Sequence, residues 1–242
     1  MKLSHKTVLV TGGTSGIGLA IAESLAAEGC RVVIVGRTAT TMEKALEKQR
    51  SHDMIGRLCD VSDRDQVTAL FIWLQTELGA VDILVNSAGV NVRQRLMANL
   101  TPEDFDKIMA VNTTGTFNCI HQALPGMRAK KEGLIINIVS VAGKRNLLLA
   151  GLPYCVSKFA TSALGTFVNL EEAAHGIKVT NLYPGETNTP LIDQRPEPPS
   201  REKRDQMLQP QDVAACVVAI AKLPARAVVP EMVITPPHML YG

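Results

Sequence analysis

Along this chain, short runs of β-branched and other apolar residues alternate with longer stretches of helical periodicity. That alternation limits the fold more than any single motif does. The runs at 7–10, 32–35, 83–85, 134–139 and 179–182 are almost wholly apolar, as strands buried on both faces must be. A weaker run at 54–61 and a short one at 232–235 complete the series. Between them, helical patterns span 18–28, 42–50, 64–78, 103–131, 154–175 and 212–222, the fourth opening with Thr101-Pro102-Glu103-Asp104 as cap, first-turn proline and acids. Strand and helix alternating at this spacing predict a parallel sheet covered on both sides. With right-handed crossovers the expected class is α/β, a doubly wound parallel sheet of about seven strands with helices on both faces.

The first strand runs into Thr11-Gly12-Gly13-Thr14-Ser15-Gly16-Ile17-Gly18, and a helix follows. A helix amino terminus offers unpaired N–H groups and a positive dipole end, which suits a pyrophosphate. Gly12 and Gly16 permit tight backbone geometry, and Gly18 lets the helix approach the strand. No Lys-Ser/Thr follows the glycines, so a nucleotide-hydrolase phosphate loop is disfavoured. The expectation is dinucleotide binding on a Rossmann-type sheet. The second strand ends in Gly36-Arg37-Thr38, with no acid before Glu43. A carboxylate there would accept ribose hydroxyls and repel a 2′-phosphate, whereas a guanidinium pairs with that phosphate. With hydroxyls from Ser15 and Thr38 in support, the cofactor expected is NADP(H) rather than NAD(H).

Tyr154-Cys155-Val156-Ser157-Lys158 sets a phenol and an ammonium on one helix face. A tyrosine with a pKa of about 10 is a poor proton donor near neutrality, and an adjacent lysine cation favours its phenolate. Ser140 ends the 134–139 run, at the carboxyl edge where open α/β sheets place their sites. Its hydroxyl is either a donor to a substrate oxygen or a simple turn residue. Asn112, a poor helix former inside a helical stretch, either distorts that helix and holds a water or faces solvent.

Together these pieces resemble the short-chain dehydrogenase/reductase family. The resemblance rests on Thr11-Gly12-x-x-x-Gly16-x-Gly18, Asp60-Val61, Asn86-Ser87-Ala88-Gly89, Asn112, Ser140, Tyr154-x-x-x-Lys158 and Pro184-Gly185, in family order over roughly residues 5–235. It implies Tyr154 as general acid in reduction or base in oxidation, and Ser140 polarising the substrate oxygen. Lys158 would hold the nicotinamide ribose and lower the tyrosine pKa, and Asn112 would anchor a water relay. Asp60 and Val61 would meet the adenine, while Asn86, Ala88 and Gly89 would line a cofactor ribose. Ile17 would join the pyrophosphate turn, and Pro184, Gly185, Thr187 and Thr189 would contact nicotinamide and pyrophosphate. Three departures stand out. Ser87 replaces the usual second asparagine. Ser140 and Tyr154 lie 14 positions apart, one more than usual, so the 144–152 loop must bulge. The end, Pro230-Glu231-Met232-Val233-Ile234-Thr235-Pro236, replaces a glycine-rich Asp-Gly segment and is similar to that of broad 3-hydroxy-acid and ketone reductases.

The expected reaction interconverts a ketone or aldehyde and its alcohol; the alternative is a catalytically silent NADP(H) sensor or scaffold on the same fold. Leu147, Leu148, Leu149, Leu152, Leu191 and Ile192 either wall an apolar substrate pocket or pack their own loop. Arg93 and Arg95 are expected in solvent, with a clamp on an acidic group as the alternative. Glu186 would repel such a group. The 195–205 stretch is either a flap over the site or a passive surface loop, and the 236–242 tail is expected to fray. Among 242 residues the net charge is +2 and aromatics make up 4%, so no nucleic-acid partner is expected. No apolar run is long enough to span a membrane, and no leader pattern opens the chain. Five scattered cysteines without a CxxC pair fit reduced thiols in the cytoplasm and no metal site. One dinucleotide-binding and catalytic domain over 1–242 is expected. Surplus apolar residues on the 103–131 and 154–175 helices point to a homodimer or homotetramer.

Overall fold

The structure, a computed structural model, describes residues 2–47 and 54–239. Seven parallel strands form one sheet in the order β3-β2-β1-β4-β5-β6-β7. They are β1 (Thr7–Thr11), β2 (Arg31–Gly36), β3 (Met54–Leu58), β4 (Ile83–Asn86), β5 (Gly133–Ile138), β6 (Ile177–Pro184) and β7 (Glu231–Ile234). The helices are α1 (Gly16–Ala27), α2 (Ala39–Glu47), α3 (Arg64–Glu77), α4 (Pro102–Met109), α5 (Gly115–Lys130), α6 (Leu152–Glu172), α7 (Arg201–Asp205) and α8 (Pro210–Lys222). The end of the expected 42–50 helix lies outside the described residues.

Alternation along each strand splits the core in two. Val8, Val10, Val32, Ile34, Ile83, Val85 and Ile136 point to one side and pack against Ile21 and Leu25 of α1 and Val213 and Val217 of α8. Leu9, Val33, Val35, Leu84, Ile135 and Val179 point to the other, against Leu70 and Leu74 of α3 and Ile120 and Ala123 of α5. Both faces of β1, β4 and β5 are buried throughout, which is why their sequences carry no polar alternation. The edge strands β3 and β7 are partly exposed and read more weakly for the same reason.

The chain winds from β1 out to β3 and then returns to β4 on the far side of β1. The carboxyl ends of β1 and β4 therefore diverge into a crevice, the usual seat of a ligand in an open α/β sheet. A row of buried amides crosses the sheet just below it. Asn86 Nδ2 donates to Asn137 Oδ1 (2.9 Å), Asn137 Nδ2 to Asn181 Oδ1 (3.0 Å), and Asn181 Nδ2 to the Ser162 carbonyl (2.9 Å). The three asparagines sit in register. Gly165 lets α6 rest on them, since a Cβ there would fall 2.0 Å from Asn181 Oδ1.

The expected 103–131 helix is broken by a π-turn, Ala110–Thr114, between α4 and α5. Asn112 lies inside it and is buried, so of the two alternatives the solvent-facing side chain is excluded.

Candidate active site

A cavity of about 800 Å³ runs along the carboxyl edge of the sheet from the α1 amino terminus to α6. At one end, Ser15 precedes α1 in an extended conformation and makes no capping bond, and the first turn carries no acid. The N–H groups there are left for a ligand. Gly12 and Gly16 adopt φ of +64° and +52°, where side chains are disfavoured. A Cβ on Gly12 would lie 2.8 Å from Ala88 Cα, and one on Gly18 would lie 2.3 Å from the Gly12 carbonyl oxygen. The glycines thus bring β1, α1 and the β4 loop within contact. Thr11 Oγ1 secures that loop, accepting from the Ser87 and Ala88 amides at 3.1 and 3.2 Å. Ser87 therefore keeps the loop through its backbone, whatever its side chain.

Ser15, Gly16, Ile17, Gly18, Arg37, Thr38, Asp60 and Val61 line this half of the cavity, with Ala88 and Gly89 midway. Arg37 is half-exposed and rests 3.4 Å from Asp60. Burial acts to raise the Asp60 pKa, but hydrogen bonds from Ser62 and the Arg37 charge hold it below the ordinary carboxylate value. Asn86 does not reach the cavity. Its side chain is spent in the amide row, and its Oδ1 is a buried acceptor without a partner.

At the other end stand Ser140, just beyond β5, and Tyr154 and Lys158 on α6. Burial pushes the Tyr154 phenol up to about 12, against the opposing pull of Ser140 hydrogen bonding and the Arg95 charge. Burial likewise brings Lys158 down to about 8. The Lys158 ammonium donates to the Ile138 carbonyl (2.9 Å) and lies 5.5 Å from the centre of the Tyr154 ring. Desolvation is the largest influence on the phenol, ahead of the neighbouring charges. Asn112 is buried outside the cavity lining. Its Oδ1 accepts from Val90 N (2.8 Å), and its Nδ2 donates to the Val90 carbonyl and to Ser157 Oγ. The side chain clamps the β4 loop to α6 beneath Lys158. Pro184, Gly185, Thr187 and Thr189 close the cavity from β6.

A family model described as short chain dehydrogenase matches residues 6–199. The chain belongs to the short-chain dehydrogenase/reductase family. It is 35% identical over 204 residues to the 3alpha-hydroxysteroid dehydrogenase of Mediterraneibacter gnavus, covering 81% of this chain and 80% of that protein. It is 35% identical over 241 residues to the glycine betaine reductase ATRR of Emericella nidulans, covering 97% of this chain but only 19% of that longer protein. A solved structure, the closed form of serine dehydrogenase complexed with NADP+, superposes with a TM-score of 0.89 at 26% identity, over 97% of this chain and 96% of that one. Homologues in this family are oxidoreductases that act on hydroxyl and carbonyl groups.

Leu147, Leu148, Leu149, Leu191 and Ile192 do line the cavity, whereas Leu152 does not. The long Ser140–Tyr154 spacing is absorbed by a turn in which Ala150 and Gly151 bond back to Leu147, with Gly151 at φ +85°. Arg93 is exposed, but Arg95 is 4% exposed and lines the cavity. Its neighbours at 147–151 and 190–195 are distant in sequence, so no local pattern marked it for burial. Glu186 is held by Arg195 (2.9 Å) and His238 (3.4 Å), so it does not stand as a bare repelling charge. The 195–205 stretch contributes Arg195 to the wall and then forms α7, tied down by an Arg204–Asp193 ion pair. The tail does not fray as far as Met239: His238 and Met239 join the cavity lining, and a Cβ on Gly185 would sit 3.0 Å from Met239 Sδ.

Proposed function

We propose that this chain is an NADP(H)-dependent oxidoreductase that interconverts a ketone or aldehyde and the corresponding alcohol, with Tyr154 as proton donor and acceptor. One observation carries the reading. Tyr154, Lys158 and Ser140 meet at one end of a continuous cavity whose other end is the uncapped α1 terminus beside Arg37.

The residues present fit the cofactor. The glycine turn leaves backbone space that a Cβ would fill, the first-turn amides suit pyrophosphate, and Arg37 suits a 2′-phosphate. NADP+ in the serine dehydrogenase structure supports the same choice. Asp60 and Val61 would flank the adenine, and Ala88, Gly89, Pro184, Gly185, Thr187 and Thr189 the remainder, with Asn86 fixing the β4 end from below. Bound there, NADP(H) supplies or accepts the hydride.

In reduction, Ser140 donates a hydrogen bond to the carbonyl oxygen as negative charge grows on it. Tyr154 passes its proton to the same oxygen. A phenol held near 12 stays protonated at neutral pH, as a donor must; in the oxidative direction the same value has to fall before Tyr154 can accept a proton. Lys158 supplies the positive charge that stabilises the tyrosinate left behind, and binds ribose hydroxyls. Asn112 holds the floor beneath Lys158, where a water relay to solvent would run.

We read residues 1–242 as one domain. Phe117 on α5 and Phe159, Phe167 and Leu170 on α6 are exposed, which supports assembly as a homodimer or homotetramer. Among the described residues no helix is long and apolar enough to cross a membrane. Five free cysteines support a reducing compartment, the cytoplasm. A panel of aldehydes and ketones with NADPH, run beside Tyr154→Phe, tests the activity. Turnover of at least one carbonyl that the variant loses is expected. Tight NADPH binding with no carbonyl reduced would replace the enzyme by the sensor.

A further inference from the structure

Arg95 is a buried cation without an anion. Two of the five N–H bonds of its guanidinium go to main-chain carbonyls, from Nη1 to Leu149 (3.2 Å) and from Nη2 to Gln194 (2.6 Å). Its Nε has no partner. No carboxylate among the described residues comes within ion-pairing distance of it. An arginine this deep ordinarily has one, because a lone buried charge is costly.

The surroundings make the charge harder to hold. Arg195 faces the same cavity, with its side chain 14% exposed, and is joined to Glu186. Burial lowers the Arg95 pKa, the Arg195 charge lowers it further, and Tyr154 acts in the opposite direction. Counting Glu186 against Arg195, the charge on Arg95 is left over, in addition to the Lys158 ammonium at the same end. Leu147, Leu149, Leu191 and Ile192 give the substrate wall apolar surface, next to the polar Asn91 and His238. Arg95 also lies close to the chemistry, since its carbonyl accepts from the Leu152 amide in the first turn of the helix that carries Tyr154.

We propose that Arg95, with Arg195 beside it, is a carboxylate subsite, and that the substrate is an oxo acid with an apolar body, reduced to its hydroxy acid. This rests on the reductase reading and narrows it. The carboxylate supplies the missing counter-charge. It is held by charge-assisted hydrogen bonds, while the carbonyl oxygen at the other end of the molecule meets Ser140 and Tyr154. The carboxylate undergoes no chemistry and only orients the carbon that takes the hydride. Planar, forked donors suit a carboxylate, and the leucines nearby suit an apolar body.

The competing role for Arg95 is that of a staple joining the 147–151 and 190–195 loops, and the test separates the two. Acetoacetate, 4-oxopentanoate and 5-oxohexanoate, each with its isosteric primary amide, are offered to the enzyme with saturating NADPH. For the best acid, kcat/KM is expected to exceed that of its amide at least tenfold. Arg95→Met should bring the ratio to within about twofold of one, whatever it does to overall activity. Should Arg95→Met fail to fold, Arg195→Met, which also unmasks Glu186, is expected to cut the same ratio. A wild-type preference for the amides, or an acid preference that survives these substitutions, would overturn the subsite while leaving the reductase standing. If acids, amides and neutral ketones all go unreduced, the reductase reading falls and the subsite with it.

Discussion

At the α1 end of the cavity the surfaces offered to a ligand are mostly backbone, shaped by glycines and an uncapped helix. At the α6 end they are side chains, carried by α6 and by loops that meet only in the folded chain. The first end can do little but bind, because its N–H groups are fixed and neutral. The second carries titratable side chains that burial shifts, Tyr154 upward and Lys158 downward. Substitutions should therefore separate cofactor binding from turnover according to the end they touch.

The largest effect is expected from Tyr154→Phe. Loss of a positioned acid lowers kcat by roughly 10²- to 10⁴-fold, while NADPH affinity, followed by its fluorescence, stays within about twofold. A matching loss of NADPH binding would erase the distinction between the ends. Next comes Gly18→Ala, whose methyl would strike the Gly12 carbonyl oxygen at 2.3 Å. Backbone cannot swing aside as a side chain can, so a stability loss of about 1–3 kcal/mol and at least tenfold weaker NADPH binding are expected from thermal unfolding and titration. Unchanged binding would show that the turn tolerates a different geometry.

Arg37→Ala sharpens the comparison within the first end. A hydrogen bond to a charged group is worth about 1.5–3 kcal/mol, so NADPH affinity should fall about tenfold or more while NADH affinity holds. Equal losses for both cofactors would remove Arg37 from the 2′-phosphate.

The last effect is one of stability alone. Lys158 has a folded pKa of about 8 against an ordinary 10.5, so between those values the unfolded chain binds a proton that the folded chain has released. Stability from this group therefore rises with pH across that window, and its charge weighs against folding below it. Lys158→Met should raise the melting temperature of the cofactor-free protein at pH 7, and the gain should fade from pH 8 to 10.5. A gain that ignores pH would mean that packing, not charge, sets it.

The same contrast explains what could be read from the sequence. Strands buried on both faces announce themselves as apolar runs, and a glycine turn between strand and helix has few other uses. The sheet, its winding and the phosphate end were thus legible. Asn112 was marked by its poor helix propensity and does lie in a π-turn, although its side chain serves the β4 loop and not the cavity. The substrate wall was not legible. Arg95 looks like a solvated arginine until the 147–151 and 190–195 loops fold over it, and His238 and Met239 look like a loose tail until they reach Gly185. These contacts join residues far apart in the chain, and no local periodicity encodes them.

The most direct test of the account follows the hydride itself. The enzyme would be incubated with NADPH deuterated at the transferable position and the best carbonyl of the panel, and the product alcohol weighed by mass spectrometry. One deuterium on the carbinol carbon, with Tyr154→Phe failing to form that product at a comparable rate, is the expected result. Unlabelled alcohol, or labelled alcohol made equally well by the variant, would contradict it.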